Sequence, residues 1–253
     1  MDKRTYLKRI GIQNEDLKVS VKALKLLHKQ HLLNIPFENL DIRRGAEIRL
    51  DTGDFYRKIV EKNRGGFCYE LNGLFSELLR GFGFETKMVS ARVANAAGKF
   101  GPEYDHMAII AKIDGKEYLA DVGFGDFIAD PLRFEIDIEQ SDPNGKFKIE
   151  EFEDDYFVVK KQEAAEWIDK YIFKTVSREL VEFSEMCLFQ QTSPESHFTK
   201  GNLCSLMMEN GRKTLTDNAF IQNSGGRKEE RGVASEAEFE SLLEREFNIS
   251  LSL

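Results

Sequence analysis

Long apolar runs are missing from this sequence. No stretch approaches the roughly 18 residues that a membrane helix needs, and the opening MDKRTYLKRIG mixes charge throughout. Neither a membrane span nor a signal peptide is expected, and a cytoplasmic location follows as the default. Cysteine is scarce: Cys68, Cys187 and Cys204 are an odd number at wide, unequal spacing. That pattern argues against a disulfide framework and against a zinc site built from Cys-x-x-Cys pairs, so a free thiol and no metal are expected. Basic residues form no stripe, and a net charge of -8 disfavours nucleic acid as a partner. There is no internal repeat, no low-complexity tract and no Walker-type phosphate loop.

What remains is an ordinary globular chain of 253 residues, 41% hydrophobic and 32% charged, long enough for a sizeable core and more than one packing unit. In NEDLKVSVKALKLLHKQHLLN, residues Leu17, Val21, Leu24, Leu27 and Leu32 fall near one helical face, with Asn14 placed to cap it. TGDFYRKIVEKN and CYELNGLFSELLRGFG read as two further helices, the second stopping at Gly81 or Gly83. From FETKMVSARV onward the period shortens to strands separated by turn residues: HMAIIAKIDGKEYLADVGFG, GKFKIEEFEDDYFVVKKQ and EWIDKYIF. RELVEFSEMCLFQQ is helical in pattern, LCSLMMENGRKTLTDNAFIQ suggests a hairpin or meander, and SEAEFESLLEREF a capped C-terminal helix. The expected class is α+β, divided into residues 1–83 (helical, carrying Cys68), 84–175 (mostly β) and 176–253 (a linker helix and a mixed segment).

Cys68 stands where RGGFCYELNGLF turns from a diglycine into a helix. A thiol in the first helical turn meets unpaired amides and the helix dipole, which lower its pKa from about 8.5 toward neutrality and can also cradle an oxyanion. A nucleophilic cysteine needs an imidazole and a third group to orient it, and four histidines are available. His28 and His31 sit among lysines and leucines, where solvated or capping roles are expected. His106 opens a strand joined to KEYLADVG through Asp114 and Gly115, a strong hairpin signal. If those two residues form the loop, Ile113 faces Lys116, His106 faces Gly123, and Asp121 faces Ala108. His106 and Asp121 then share one face as diagonal neighbours, with backbones roughly 7–8 Å apart and side chains able to meet. An acid flanked by apolar residues needs a partner if buried. Gly123 and Gly125, on either side of Phe124, leave room for a ligand against an aromatic wall.

These blocks, in order, resemble the arylamine N-acetyltransferase family over nearly the whole chain: LLHKQHLLNIPFENLDI, RGGFCYELNGLF, SARV, DHMAII and YLADVGFG. The resemblance implies an N-terminal helical bundle, a central β-barrel and a C-terminal α/β lid around a cysteine-protease-like core. It implies Cys68, His106 and Asp121 as the catalytic triad. By the same resemblance Tyr69, Val93 and Phe124 line the pocket, Gly125 lies beside the pantetheine arm, Ser196 near the cofactor and Phe198 toward the pocket, both from QTSPESHF. Arg9, Glu38 and Arg64 would support the active-site backbone. Cys187 and Gln191 depart from the residues common at their positions, bearing on acceptor preference or local packing, and Cys187 and Cys204 are expected to be inert core thiols. The implied activity is two-step transfer from acetyl-coenzyme A, through an acetyl-cysteine thioester, to an arylamine or arylhydrazine. A cysteine amidase or peptidase uses the same three groups when water reaches the acyl-enzyme. A binding protein on a decayed scaffold is the alternative from another class, against which the intact triad argues.

Overall fold

The computed structural model describes residues 1–14 and 16–251. Up to Gly81 the chain is helical: α1 (Lys3–Arg9), α2 (Val21–Asn34), α3 (Leu40–Arg43), α4 (Thr52–Tyr56, running on through a π turn at Arg57–Glu61) and α5 (Cys68–Gly81). A short strand, β1 (Phe37–Glu38), separates α2 from α3. Helix α2 starts later than the apolar spacing suggests. Ser20, not Asn14, is its N-cap, its hydroxyl accepting from the Ala23 amide at 3.2 Å. Asn14 instead accepts from the Asp16 amide at 3.0 Å, closing its own local turn in competition with a helix start. Glu15, inside the helix expected from Asn14, lies outside the described residues, as do the last two positions of the expected 176–253 segment.

The expectation for His28 and His31 is also corrected, because both rings are fully buried. Helix α2 turns them onto Phe75 of α5, at ring distances of 6.0 and 5.2 Å, while its lysines occupy the outer face. Helix α5 is enclosed on nearly every side, with Leu71, Leu74, Phe75, Leu78 and Leu79 all in the core. Each such side chain contributes on the order of 1.5–3 kcal/mol of burial free energy. The helix ends at Phe82, whose amide reaches the Leu78 carbonyl, and Gly83 then takes a φ of +89°.

Eight antiparallel strands follow: β2 (Glu85–Val93), β3 (His106–Ile113), β4 (Lys116–Ala120), β5 (Leu132–Arg133), β6 (Gln140–Asp142), β7 (Gly145–Phe152), β8 (Tyr156–Glu163) and β9 (Glu166–Phe173). Their order is β5-β4-β3-β2-β9-β8-β7-β6, and the sheet curls into a nearly closed barrel. The hairpin between β3 and β4 has the expected register, Ile113 opposite Lys116 and Ile109 opposite Ala120. Asp114 and Gly115 both have positive φ, 50° and 76°, the geometry a two-residue turn needs to match strand twist. Along β3 the period of two divides the residues. Met107, Ile109 and Ala111 join the helical core around α5, and Ala108 and Ile110 fill the barrel.

The remaining chain forms α6 (Ser184–Thr192), β10 (Leu203–Met208), β11 (Gly211–Thr216), β12 (Ala219–Ser224), β13 (Arg227–Gly232) and α7 (Glu236–Phe247). The strands make a second sheet, β1-β10-β11-β12-β13, so a strand from the helical region completes the C-terminal sheet. Strand β1 also touches the nucleophile loop: Glu38 N–H donates to Gly66 O at 2.9 Å and Gly66 N–H to Pro36 O at 3.3 Å. A Cβ on Gly65 would lie 2.0 Å from Pro36 O, so only glycine permits this approach.

Candidate active site

Cys68 is the first residue of α5 and is buried. No side chain on Phe67 can cap this end. Glu70 Oε2 takes that place, accepting from the Phe67 amide at 3.1 Å. Behind it Lys58 donates to both Glu70 oxygens at 2.9 and 3.0 Å and reaches Asp41 at 2.8 Å. Arg64 donates to Glu38 Oε1 from Nε and Nη2 at 3.0 and 2.8 Å and also reaches Asp41. Arg9 donates to the Ile59, Asn34 and Arg64 carbonyls. Two cations, Lys58 and Arg64, among three acids therefore tie β1 and α3 to the start of α5, and Arg9 ties α1 to the loop before it.

His106 and Asp121 meet as the hairpin parity requires, Nε2 donating to Oδ2 at 2.7 Å. The β3–β4 ladder itself stops at Ile109 opposite Ala120, so the contact is made just past its end. The other Asp121 oxygen accepts from Asn72 Nδ2 and the Gly123 amide, both at 2.9 Å. Burial opposes ionisation of Asp121, but the imidazole and these donors outweigh it and hold the carboxyl below its ordinary value. The His106 ring is walled by Phe124 and Tyr171 at 5.2 and 5.4 Å. With Nε2 committed to Asp121, its Nδ1 has no protein hydrogen-bond partner among the described residues.

Two supports escaped sequence reasoning. Asn72, one helical turn beyond Cys68 on α5, donates to Met107 O at 2.6 Å and accepts from the Val122 amide at 2.9 Å as well as holding Asp121. His28 Nε2 accepts from the Asp121 amide at 3.1 Å while Nδ1 donates to Ala129 O at 2.9 Å. Burial keeps that ring below its ordinary pKa, which suits one donor and one acceptor nitrogen. The spacing of Asn72 from Cys68 was a usable signal. The His28 contact spans 93 positions and left no local trace.

Cys68, His106 and Gly123 line one cavity of about 200 Å³ with Phe37, Val93, Asp105, Phe124, Gln190, His197 and Phe198. Gly123 backs directly onto the nucleophile: a Cβ there would lie 2.9 Å from Cys68 Cα and 2.7 Å from Asn72 Nδ2. Of the other expected pocket residues, Tyr69 is fully buried and donates to Tyr104 O at 2.7 Å. Gly125 accepts at its carbonyl from Arg212 at 2.6 Å. Ser196 is buried behind the cavity wall, donating to Gln190 Oε1 at 2.7 Å. Gln191 turns away to the Ile48 backbone, and Cys187 and Cys204 are buried free thiols.

The thiol does not behave as its helix position alone predicts. Burial pushes Cys68 well above the ordinary thiol value, Asp105, Cys187 and Asp121 push the same way, and the Tyr69 amide opposes them without prevailing. A thiolate in this cavity is therefore sustainable only beside a cation, the imidazolium formed when His106 accepts the proton.

A cysteine on a helix N-terminus, set against a histidine and an aspartate presented by a barrel hairpin, defines a cysteine-nucleophile enzyme of the acyl-transferring kind. The comparisons place it further. A family model described as N-acetyltransferase matches residues 20–253. A solved arylamine N-acetyltransferase from Salmonella typhimurium superposes with a TM-score of 0.92 at 30% identity, covering 99% of this chain and 92% of that one. Arylamine N-acetyltransferase 2 of Mus musculus is 30% identical over 99% of this chain and 95% of its own length. A Mycobacterium marinum arylamine N-acetyltransferase in complex with CoA gives a TM-score of 0.90 at 27% identity, covering 98% and 93%. The chain belongs to the arylamine N-acetyltransferase family and is an acyltransferase enzyme.

Proposed function

We propose that this enzyme moves an acetyl group from acetyl-coenzyme A to an arylamine or arylhydrazine through a thioester on Cys68. The reading is carried by a thiol, a histidine held by a buried aspartate, and an aromatic-walled cavity that Cys68 and His106 both border. The Cys68 proton passes to His106 Nδ1, and Asp121 holds the resulting imidazolium through Nε2. The thiolate attacks the thioester carbonyl, the S–C bond to coenzyme A breaks, and His106 returns the proton to the departing sulfur. In the second half the amine nitrogen attacks acetyl-Cys68, His106 removes its proton, and Cys68 leaves. First-turn amides of α5 lie beside the reacting carbonyl and suit the developing oxyanion.

Phe37, Val93, Phe124 and Phe198 supply the apolar surface that favours a flat aromatic acceptor over water. The Mycobacterium marinum relative was solved with CoA, which supports coenzyme A as the acyl carrier here; its pantetheine arm would approach past Gly125, whose carbonyl accepts from Arg212. Tyr69 and Ser196 act from behind the cavity wall, and Arg9, Glu38 and Arg64 through the loop that seats Cys68. No helix among the described residues is long and apolar enough to cross a membrane, which accords with a cytoplasmic site of action.

Mass spectrometry after incubation with acetyl-coenzyme A alone tests the reading. One acetyl group on Cys68 is expected, because the enzyme must store the acyl group before the amine arrives. Modification at Cys187 or Cys204, or none, would refute it.

A further inference from the structure

The reaction uses Cys68, His106 and Asp121, but the cavity wall holds a second acid with no role in it. Asp105 borders the cavity beside His106. Its Oδ1 accepts from Gln190 Nε2 at 2.8 Å, and no lysine or arginine is paired with it among the described residues. The orientation of Gln190 follows from Asp105 itself: a carboxylate oxygen only accepts, so the amide nitrogen faces it, leaving Gln190 Oε1 toward Ser196 Oγ at 2.7 Å.

The backbone that presents Asp105 is held just as firmly. Tyr104 takes a φ of 63°, a strained conformation for an aromatic residue, and is kept there from both sides. Its amide donates to Ser90 Oγ at 2.7 Å, and its carbonyl accepts from Tyr69 Oη at 2.7 Å. The titratable groups facing the carboxylate are Cys68, His106 and His197, the last an exposed residue at the cavity rim. Burial raises Asp105 above the ordinary carboxyl value, with His106 acting against that rise. Apart from Gln190 the remaining lining carries no polar side chain, so one acid gives the slot a charged pole.

We propose that Asp105, aimed by Gln190 and Ser196, selects the acceptor: aromatic amines or hydrazines bearing a cationic or hydrogen-bond-donating group are favoured, and those bearing a carboxylate are rejected. The inference rests on the acetyl-transfer reading and specifies the acceptor class for the same cavity. A space of about 200 Å³ keeps any bound ring within roughly 7 Å of the carboxylate. At that separation, with an effective dielectric constant of about 20 to 40, each unit of acceptor charge changes relative affinity about tenfold or more.

The experiment compares kcat/KM for 4-aminobenzamidine, 4-aminobenzamide and 4-aminobenzoate, with acetyl-coenzyme A, in the unsubstituted enzyme and Asp105→Asn. The three amines differ in intrinsic nucleophilicity, so the informative quantity is the cation-to-anion ratio and its change on substitution. That ratio is expected to fall at least about tenfold in Asp105→Asn; an unchanged ratio overturns the proposal. Competition in the unsubstituted enzyme needs no variant. Benzamidine should inhibit turnover of 4-aminobenzamide at concentrations where benzoate does not, and equal inhibition overturns the proposal. Acetylation of Cys68 and turnover of 4-aminobenzamide report separately on the underlying reading: if both occur while charge preference is flat, only the selection by Asp105 is lost. If neither occurs, the acetyl-transfer reading fails and the inference falls with it.

Discussion

Replacing Asp121 by asparagine tests the active-site geometry most directly. The amide oxygen can keep the two donors that Oδ1 serves, Asn72 Nδ2 and the Gly123 amide. The amide nitrogen then replaces Oδ2 opposite His106 Nε2 and can only donate to it. His106 Nε2 must become an acceptor, which puts the ring proton on Nδ1, and a protonated Nδ1 cannot take a proton from Cys68. The variant also loses the carboxylate that stabilises the imidazolium. A charge pair about 4 Å apart at an effective dielectric constant of 20 is worth about 4 kcal/mol, close to three orders of magnitude in the thiolate–imidazolium population. Single-turnover acetylation by acetyl-coenzyme A should therefore slow by about 10³-fold or more, while circular dichroism and coenzyme A binding stay near those of the unsubstituted enzyme. A well-folded variant that acetylates within a few-fold of the unsubstituted enzyme would refute the roles assigned to both His106 and Asp121.

Other outcomes follow from the same geometry. His106→Gln should suppress iodoacetamide alkylation of Cys68 at neutral pH, because burial keeps the isolated thiol protonated; undiminished alkylation would show that the helix end suffices. In the native enzyme Cys187, pushed up to about 12 by burial, and Cys204, raised well above its ordinary value, should label only on unfolding, as peptide mapping can show. Gly123→Ala puts a methyl group 2.9 Å from Cys68 Cα, so a loss of 1–3 kcal/mol in stability, as is typical of overpacking (about that range), and a fall of at least tenfold in acetylation are expected in denaturant melts and single-turnover assays. Glu70 is pushed up to about 7, by burial first, with Lys58 opposing and Glu38 adding to the rise. The folded chain thus holds that proton more tightly than the unfolded chain, and stability should decline as pH rises from about 4.5 to about 7, then level. Glu70→Gln should flatten that decline in denaturant midpoints, and an unchanged slope would assign it to another group.

The hairpin was legible because its information is local. Asp114 and Gly115 set the turn, the turn sets the register, and the register decides which side of the strand His106 and Asp121 share. Cys68 was legible for a similar reason, since diglycine followed by a helical run puts a residue at a helix start. Its electrostatics were not, because burial and the Asp105 carboxylate come from the packed molecule and reverse the effect expected of the helix end. His28 resembled a residue of a lysine-rich surface helix, yet the face it occupies is decided by Phe75 and Ala129, far along the chain. Gln190 and Gln191 illustrate the same limit. Which of two adjacent glutamines enters the cavity depends on the phase of α6 and on Ser196, and sequence reasoning had singled out only the one that turns away.

Strand β1 pairs with β10, Phe37 opposite Ser205 and Glu38 opposite Cys204, and also bridges to Gly66 beside the nucleophile. During synthesis, the loop that seats Cys68 thus emerges from the ribosome long before the strand that completes its support. At about 5–20 residues per second, the intervening residues 67–203 take roughly 7–28 seconds to make. Throughout that interval β1 has one neighbour instead of two. A chain terminated before β10 carries the thiol without the ladder that fixes its loop, so assembly of the reactive centre is deferred until translation is nearly finished.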